Sequence, residues 1–127
     1  MPARVLVVDD ERDVLRLVET MLADSGYDVV AANGAEDAIR AFEEMSQPPD
    51  LILTDVVMPG MSGPMLVNRL RALAPDVHVL FMSGYDHSQV VQQYVVQQGF
   101  DLIPKPFTGR SLQAAIKKSI GTDKSAG

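Results

Sequence analysis

The sequence predicts an α/β fold in which five parallel strands form a doubly wound sheet covered by five helices. Two features predict this fold. Five short apolar runs alternate with five longer segments whose apolar residues recur every three or four positions, as in strands and amphipathic helices respectively. Strict alternation of strand and helix favours right-handed crossovers, which make the strands parallel and place helices on both faces of the sheet. For five strands we expect the order 2-1-3-4-5, with the switch point between the first and third strands.

Length and composition indicate one ordinary globular domain. A chain of 127 residues, 46% of them hydrophobic, is long enough to bury a core. The net charge of −6 argues against nucleic-acid binding, and the absence of cysteine excludes disulfides and thiolate chemistry. The apolar runs are far shorter than the ~20 residues that span a membrane, and residues 1–8 do not resemble a signal peptide. We therefore expect a soluble, cytoplasmic domain over residues 1–120 and a flexible polar tail over residues 121–127.

The predicted strands are short apolar runs bounded by turn-forming or charged residues. They are Val5–Val8, Val29–Ala32, Leu51–Thr54, Val77–Met82 and Phe100–Ile103.

The first three helices are predicted from apolar spacing and from end signals. The apolar stripe of the first helix consists of Val14, Leu17, Val18, Met21 and Leu22. Gly26 stands where a C-terminal cap belongs. At the second helix, Asn33 and Glu36 resemble a capping box. Its stripe consists of Ala35, Ala38, Ile39, Phe42 and Met45. Pro64 suits the first position of the third helix. The third stripe consists of Leu66, Leu70 and Leu73.

The last two helices differ in composition. Asp86 and Gln89 fit the start of the fourth helix, which is rich in valine and uncharged glutamine and should therefore have low intrinsic stability. Thr108 is suited to cap the fifth helix. Its inward residues are Leu112, Ala115, Ile116 and Ile120.

Polar residues follow four of the five strands. Asp9 and Asp10 follow the first strand, Asp55 the third, Ser83 the fourth and Lys105 the fifth. Because parallel strands share one carboxyl edge, these side chains should converge there. Three adjacent carboxylates repel one another unless a cation is present. An acidic, all-oxygen set without cysteine suits Mg²⁺ or Mn²⁺.

Asp55 has the setting of a phosphoryl acceptor. It ends a buried strand and is followed at once by a loop rich in proline and glycine. A divalent cation and Lys105 would neutralise the charge on the phosphoryl oxygens, and Ser83 would donate a hydrogen bond to one of them.

The residues at the strand ends together resemble the response regulator receiver domain of two-component signalling, a fold with the flavodoxin-like strand order. The resemblance rests on Asp9-Asp10, on Asp55 in the run DVVMPGMSG, on Ser83-Gly84 and on Lys105-Pro106-Phe107. It covers the chain from Arg4 to about Ile120. The chain is similar to receivers of hybrid histidine kinases and to stand-alone single-domain regulators.

The resemblance implies a role for each acidic residue. Asp55 would be the phosphoacceptor, with a histidine kinase or a histidine phosphotransfer protein as the donor. Asp10, Asp55 and the backbone carbonyl of Val57 would bind Mg²⁺ (or Mn²⁺). Asp9 would act mostly through metal-bound water.

The resemblance also implies how the phosphoryl group is held and sensed. Ser83 would move toward the phosphoryl group, Lys105 would pair with it, and the Lys105–Pro106 bond would be cis. The face formed by the fourth helix, fifth strand and fifth helix would contact a downstream protein. The domain would be a monomer or a phosphorylation-dependent dimer, without a nucleic-acid or membrane partner.

Two positions depart from the family pattern. Leu102 stands three residues before Lys105, where the family often has an aromatic residue. Tyr85 could rearrange beside the site instead, or simply pack against the fourth helix. Val57 offers no group to orient an attacking water, so we expect slow self-catalysed loss of phosphate.

Alternative functions remain open from the sequence. The chain could be a degenerate receiver that acts only as a binding module, or a small Mg²⁺-dependent phosphatase that forms an aspartyl phosphate. Such phosphatases typically carry a second acid where this chain has Val57, so we expect no enzyme acting on a separate substrate. Taken singly, each site residue also has a structural interpretation as a cap, a turn or a solvated surface residue. For His78 and His87 that structural interpretation is preferred.

Overall fold

The sheet has the predicted architecture. A computed structural model describes residues 3–84, 93 and 95–120 of the chain. The strands are β1 (Arg4–Val8), β2 (Asp28–Ala32), β3 (Leu51–Asp55), β4 (His78–Ser83) and β5 (Asp101–Pro104). Their order across the sheet is β2-β1-β3-β4-β5, and each neighbouring pair is parallel. The predicted fold class and strand order are therefore confirmed, although seven of the ten strand boundaries differ from the predicted ones by one residue.

Helices connect the strands and cover the sheet. They are α1 (Arg12–Asp24), α2 (Ala35–Glu44), α3 (Gly63–Leu73) and the C-terminal helix (Gly109–Ile120). Between β4 and β5, Gln93 and residues 95–97 are helical, in agreement with the predicted fourth helix. The predicted start of that helix at Asp86 lies outside the described residues, as does the predicted tail. Among the described residues, every helix is too short or too polar to traverse a bilayer.

The sheet separates two apolar layers. All five residues of β3 are buried. Ile52 joins Leu6 in the layer beneath α2 and α3, whereas Leu51 and Leu53 join Val7 in the layer beneath α1 and the C-terminal helix. Successive side chains of a strand point to opposite faces, so one continuous apolar run supplies both layers.

Asp50 sets the register at the amino end of the sheet. Its Oδ2 accepts a hydrogen bond of 2.8 Å from the Arg4 backbone N–H. Its own N–H donates to the Arg4 carbonyl over 2.9 Å, and its carbonyl accepts from the His78 N–H over 3.3 Å. These bonds align the starts of β1, β3 and β4, and therefore also their carboxyl ends.

Two leucines predicted to face the core are exposed. Leu17 is 56% exposed and Leu73 is 62% exposed. In α1 the buried residues are Leu15, Val18 and Leu22, and Leu17 lies roughly 200° around the helix from Leu15. In α3 the stripe continues from Leu70 to Ala74, four residues later, so Leu73 points away from the core.

The helix starts show one confirmed prediction and two corrections. Thr108 caps the C-terminal helix as predicted, since its Oγ1 accepts a backbone N–H of the first turn over 3.0 Å. Pro64 is the second residue of α3 rather than the first, because Ser62 is the cap. The predicted capping box at Asn33 is wrong. The cap of α2 is Gly34, and among the described residues no side-chain capping hydrogen bond is made at the start of that helix.

Candidate functional site

The carboxyl ends of four strands meet at one edge of the sheet. Asp9 directly follows β1, Asp55 ends β3, Ser83 ends β4 and Lys105 directly follows β5. The ladders between β1, β3, β4 and β5 run in register up to these ends. The structure therefore brings together residues that lie up to 96 positions apart in the sequence.

Three carboxylates form the acidic part of the site. One oxygen from each of Asp9, Asp10 and Asp55 lies within 4.8 Å of the others. Asp9 is fully buried and Asp55 is 3% exposed, whereas Asp10 is exposed to solvent. Carboxylates this close repel one another, and burial strengthens the repulsion because little water screens it. The cluster therefore attracts cations.

Lys105 supplies the positive charge among the described residues of the site. Its Nζ lies 3.1 Å from Asp9 Oδ2 and 3.3 Å from Asp55 Oδ2. Its backbone N–H donates to the Ser83 carbonyl over 2.8 Å, which ties the residue to β4. Burial of the ammonium lowers the pKa of Lys105. The negative charges of Asp55 and Asp9, together with their hydrogen bonds to Lys105, raise the pKa by more than burial lowers it, so the pKa is raised overall. The Lys105–Pro106 peptide bond is cis, as the resemblance implied.

The carboxylate of Asp9 is held by the protein on both oxygens. Oδ2 accepts the bond from Lys105, and Oδ1 accepts a hydrogen bond of 2.9 Å from the Glu11 backbone N–H. The side chain of Asp10 makes no such bond within the described part of the chain. Asp10 therefore has the more accessible carboxylate of this adjacent pair.

A side chain from β2 also reaches the acidic loop. Asn33 Nδ2 donates to the backbone carbonyls of Asp9 and Asp10, each over 3.1 Å. The sequence interpretation missed this contact because it assigned Asn33 to a helix cap. The available signal was its position directly after β2, which is the strand beside β1.

A cavity of about 810 Å³ opens beside the site. Asp10, Asp55 and Lys105 line its polar side, and Leu17 and Phe107 belong to its apolar side. Val57 also lines the cavity and is 47% exposed. The cavity therefore lies between Asp55 and solvent.

Ser83 ends β4, and Leu102 lies in β5, three residues before Lys105. Ser83 is 2% exposed, and its hydroxyl donates to the Gly84 carbonyl over 3.4 Å. Leu102 is half-buried and packs against the apolar layer beneath α2 and α3. The predicted role of Tyr85 falls outside the described residues.

The donor set fits a hard divalent cation. All three acidic side chains offer oxygen, which Mg²⁺ and Mn²⁺ prefer. The exposed Asp10 and the adjoining cavity leave room for the water ligands that Mg²⁺ usually keeps. The residues present thus suit Mg²⁺, which would add positive charge beside Asp55.

Comparisons with known proteins agree with this geometry. The family described as response regulator receiver domain matches residues 5–117. The chain is 34% identical over 118 residues to the sensor kinase CckA of Brucella abortus, a match that covers 93% of this chain and 12% of that protein. It is 32% identical over 117 residues to the alkaline phosphatase synthesis transcriptional regulatory protein PhoP of Bacillus subtilis, covering 92% and 48% respectively. The chain thus spans less than half the length of these curated relatives.

Solved structures of receiver domains superpose on nearly the whole length of this chain. A response regulator receiver domain protein from Clostridium thermocellum superposes with a TM-score of 0.86 at 26% identity, covering 98% of this chain and 99% of that one. A CheY-like receiver domain protein from Methanospirillum hungatei gives a TM-score of 0.85 at 27% identity, covering 100% of both chains.

Proposed function

The chain belongs to the response regulator receiver domain family, and from that membership we propose that it is a phosphoacceptor of a two-component phosphorelay, phosphorylated on Asp55. The observation that carries the proposal is the contact of the Lys105 ammonium with both Asp55 and Asp9 beside an open cavity. A buried carboxylate beside a cation and two further acids has the charge and access that phosphoryl transfer requires.

In the proposed reaction, an Asp55 oxygen attacks the phosphorus of a phosphohistidine on a histidine kinase or a histidine phosphotransfer protein. A P–O bond forms while the P–N bond breaks, and the donor imidazole leaves with the electron pair and takes a proton from solvent. Lys105, whose Nζ is 3.3 Å from Asp55 Oδ2, neutralises a phosphoryl oxygen. Ser83, at the end of the neighbouring strand, donates a hydrogen bond to another oxygen.

The metal-binding residues in this proposal are Asp10, Asp55 and the backbone carbonyl of Val57, with Asp9 acting through metal-bound water. The close approach of the three carboxylates and the exposure of Asp10 support this assignment. Bound Mg²⁺ (or Mn²⁺) would neutralise charge on the phosphoryl oxygens. Both oxygens of Asp9 already accept hydrogen bonds from the protein. Contact between Asp9 and the metal through a water molecule is therefore simpler than direct binding.

The test is phosphorylation by a small donor. The full chain is incubated with acetyl phosphate or phosphoramidate, with and without Mg²⁺, and intact mass is measured. We expect a gain of one phosphoryl group that requires Mg²⁺ and is lost in Asp55→Asn. The matched control is Asp24→Asn, which makes the same chemical change at an exposed position near the end of α1. It should be phosphorylated like the wild type.

The same experiment separates the alternatives. No mass gain from either donor overturns the proposal and favours a binding module that works without phosphorylation. Rapid release of many equivalents of phosphate from an excess of donor, without a lasting mass gain on the protein, would instead indicate an enzyme acting on a separate substrate. Val57 disfavours that outcome because it stands where phosphatases of this kind carry a second acid.

The output in this proposal is a change in protein contacts. Residues 1–120 are the receiver in this proposal. The face containing the fourth helix, β5 and the C-terminal helix contacts a downstream protein once Asp55 is phosphorylated. The chain works as a monomer or as a phosphorylation-dependent dimer, without nucleic acid.

A further inference from the structure

The contact of Asn33 with the acidic loop is not explained by the start of α2. Asn33 precedes Gly34, the cap residue of α2, and in the described part of the chain that helix start has no side-chain capping hydrogen bond. Its amide nitrogen instead bridges the carbonyls of Asp9 and Asp10, each at 3.1 Å. The side chain is therefore engaged with the loop after β1 and not with its own helix.

The chemistry of the contact requires an amide. Both targets are carbonyl oxygens, which only accept hydrogen bonds, and the NH₂ group of asparagine has two hydrogens for two acceptors. A carboxylate of the same shape would offer no donor and would add negative charge next to an acidic cluster. The identity of the residue at position 33 is thus matched to its two partners.

The contact also determines the path of the backbone. In a strand, successive carbonyls point in opposite directions, so a single donor does not reach two in a row. The carbonyls of Asp9 and Asp10 both approach Asn33 Nδ2, and the chain therefore turns directly after β1. The bond from the Asp9 N–H to the Ala32 carbonyl, 3.3 Å long, ends the ladder at the same place.

The acidic residue that depends most on this turn is Asp10. Asp9 is held by Lys105 and by the Glu11 N–H through its side chain. Within the described ranges, no hydrogen bond holds the carboxylate of Asp10, so its location follows from its backbone. That carboxylate nevertheless lies within 4.8 Å of the other two.

We propose that Asn33 is a positioning residue for the metal site. Its side-chain amide holds the backbone of Asp9 and Asp10 and so places the Asp10 carboxylate where it binds Mg²⁺ together with Asp55. This inference rests on the proposed function of the acidic cluster. Residues that orient metal ligands typically contribute about 10- to 100-fold to metal affinity.

The test measures Mg²⁺ binding directly. Isothermal titration calorimetry with MgCl₂ is carried out on the wild type, Asn33→Ala and Asn33→Leu. The two variants differ in volume and share the loss of the amide group with its donor, so the Leu variant carries the test if the Ala variant does not fold. We expect the Kd for Mg²⁺ to rise about 10-fold or more in both. The control, Asn68→Ala, removes an exposed amide from α3 and should leave the Kd unchanged.

A second measurement distinguishes positioning from general damage. Phosphorylation by acetyl phosphate is followed by intact mass over a series of Mg²⁺ concentrations. We expect the Asn33 variants to need more Mg²⁺ for half-maximal phosphorylation and to reach the wild-type rate at saturation. An unchanged Mg²⁺ requirement, or a lower rate that Mg²⁺ does not restore, overturns the role of Asn33. If the wild type itself binds no Mg²⁺ and gains no mass, the proposed function fails and the role of Asn33 fails with it.

Discussion

The backbone carbonyl of Asp55 lies so close to Gly63 that a Cβ atom at position 63 would overlap the carbonyl oxygen. The same Cβ would also come within 3.1 Å of Phe81 Cε1. The Gly63 N–H donates to the Val56 carbonyl over 2.8 Å, which draws the start of α3 against the end of β3. The absence of a side chain at Gly63 therefore allows the first turn of α3 to pack beneath the proposed phosphoacceptor.

Gly63→Ala should destabilise the protein because the new methyl group meets backbone and a buried ring. We expect a loss of about 1–3 kcal/mol in the free energy of unfolding, measured with urea. Gly109→Ala is the matched control, since its Cβ would meet nothing closer than Met21 Cγ at 4.0 Å. It should change stability little. Equal losses of stability at both positions would show that the close approach of Gly63 to the Asp55 carbonyl does not make a side chain at position 63 unfavourable.

Lys105→Met should destabilise the protein in the absence of Mg²⁺. The substitution keeps an apolar stem and removes the ammonium that contacts Asp9 and Asp55, two carboxylates almost fully buried. Removing one partner of a buried pair typically costs on the order of 3 kcal/mol. The urea midpoint is compared with that of Lys117→Met, an exposed lysine of the C-terminal helix, which should be near wild type. Saturating Mg²⁺ should reduce the deficit of Lys105→Met, because a bound cation replaces part of the missing charge.

The Lys105 contact also predicts a dependence on pH. Because the partners raise the pKa of Lys105 above 10.5, the folded state holds the proton more tightly than the unfolded state. The stabilisation is complete below about pH 10.5 and is lost as the pH rises through the folded pKa. The difference in unfolding free energy between wild type and Lys105→Met should therefore be constant from about pH 7 to about pH 9.5 and shrink above about pH 10.5. Urea titrations over this pH range measure the difference in unfolding free energy between wild type and Lys105→Met. A difference that grows as the pH rises would contradict the ion pairs of Lys105 with Asp9 and Asp55.

Val57→Asn should shorten the lifetime of the phosphorylated protein several-fold. Val57 lines the cavity beside Asp55, is 47% exposed and has no polar side-chain atom to orient an attacking water. Phosphorylated protein is freed of donor, and the loss of one phosphoryl group is followed by intact mass. Val57→Ala is the control, because it reduces steric cover without adding a polar group. If wild type and Val57→Asn lose phosphate at the same rate, the argument from the side chain of Val57 is wrong.

The fold was predictable because each strand is a continuous apolar run and each helix has apolar spacing. The same property explains the location of the site, since Asp9, Asp55, Ser83 and Lys105 stand at the ends of those runs. Parallel topology then brings the ends to one edge without further information. Some strand boundaries differ by one residue because polar residues such as Arg4, Asp28 and Asp55 pair in the ladder beyond the apolar run.

Two of the errors concern features that depend on partners distant in the sequence. Asn33 followed by Glu36 fits a capping box locally, but the carbonyls that bind Asn33 are 23 and 24 positions away. Leu17 fits a helical stripe, yet the packing of α1 selects Leu15 instead. Local spacing defines which face of a helix is apolar only to within a residue or two. The helices and strands that pack against the helix decide which of its apolar residues are buried.

Asp10→Asn should separate metal binding from folding. Asp10 is exposed, belongs to the three-carboxylate cluster and makes no side-chain hydrogen bond within the described part of the chain. Removing its charge relieves repulsion with Asp9 and Asp55, so without Mg²⁺ we expect stability to rise by up to about 1 kcal/mol, as is usual for exposed charges. The increase in melting temperature that Mg²⁺ gives the wild type should be largely lost, because one proposed metal ligand is missing. Glu11→Gln removes the same charge from the adjacent exposed residue, which is outside the cluster, and should keep the Mg²⁺ response. A full Mg²⁺ response in Asp10→Asn would exclude Asp10 as a ligand and direct the search to Asp9 and Asp55.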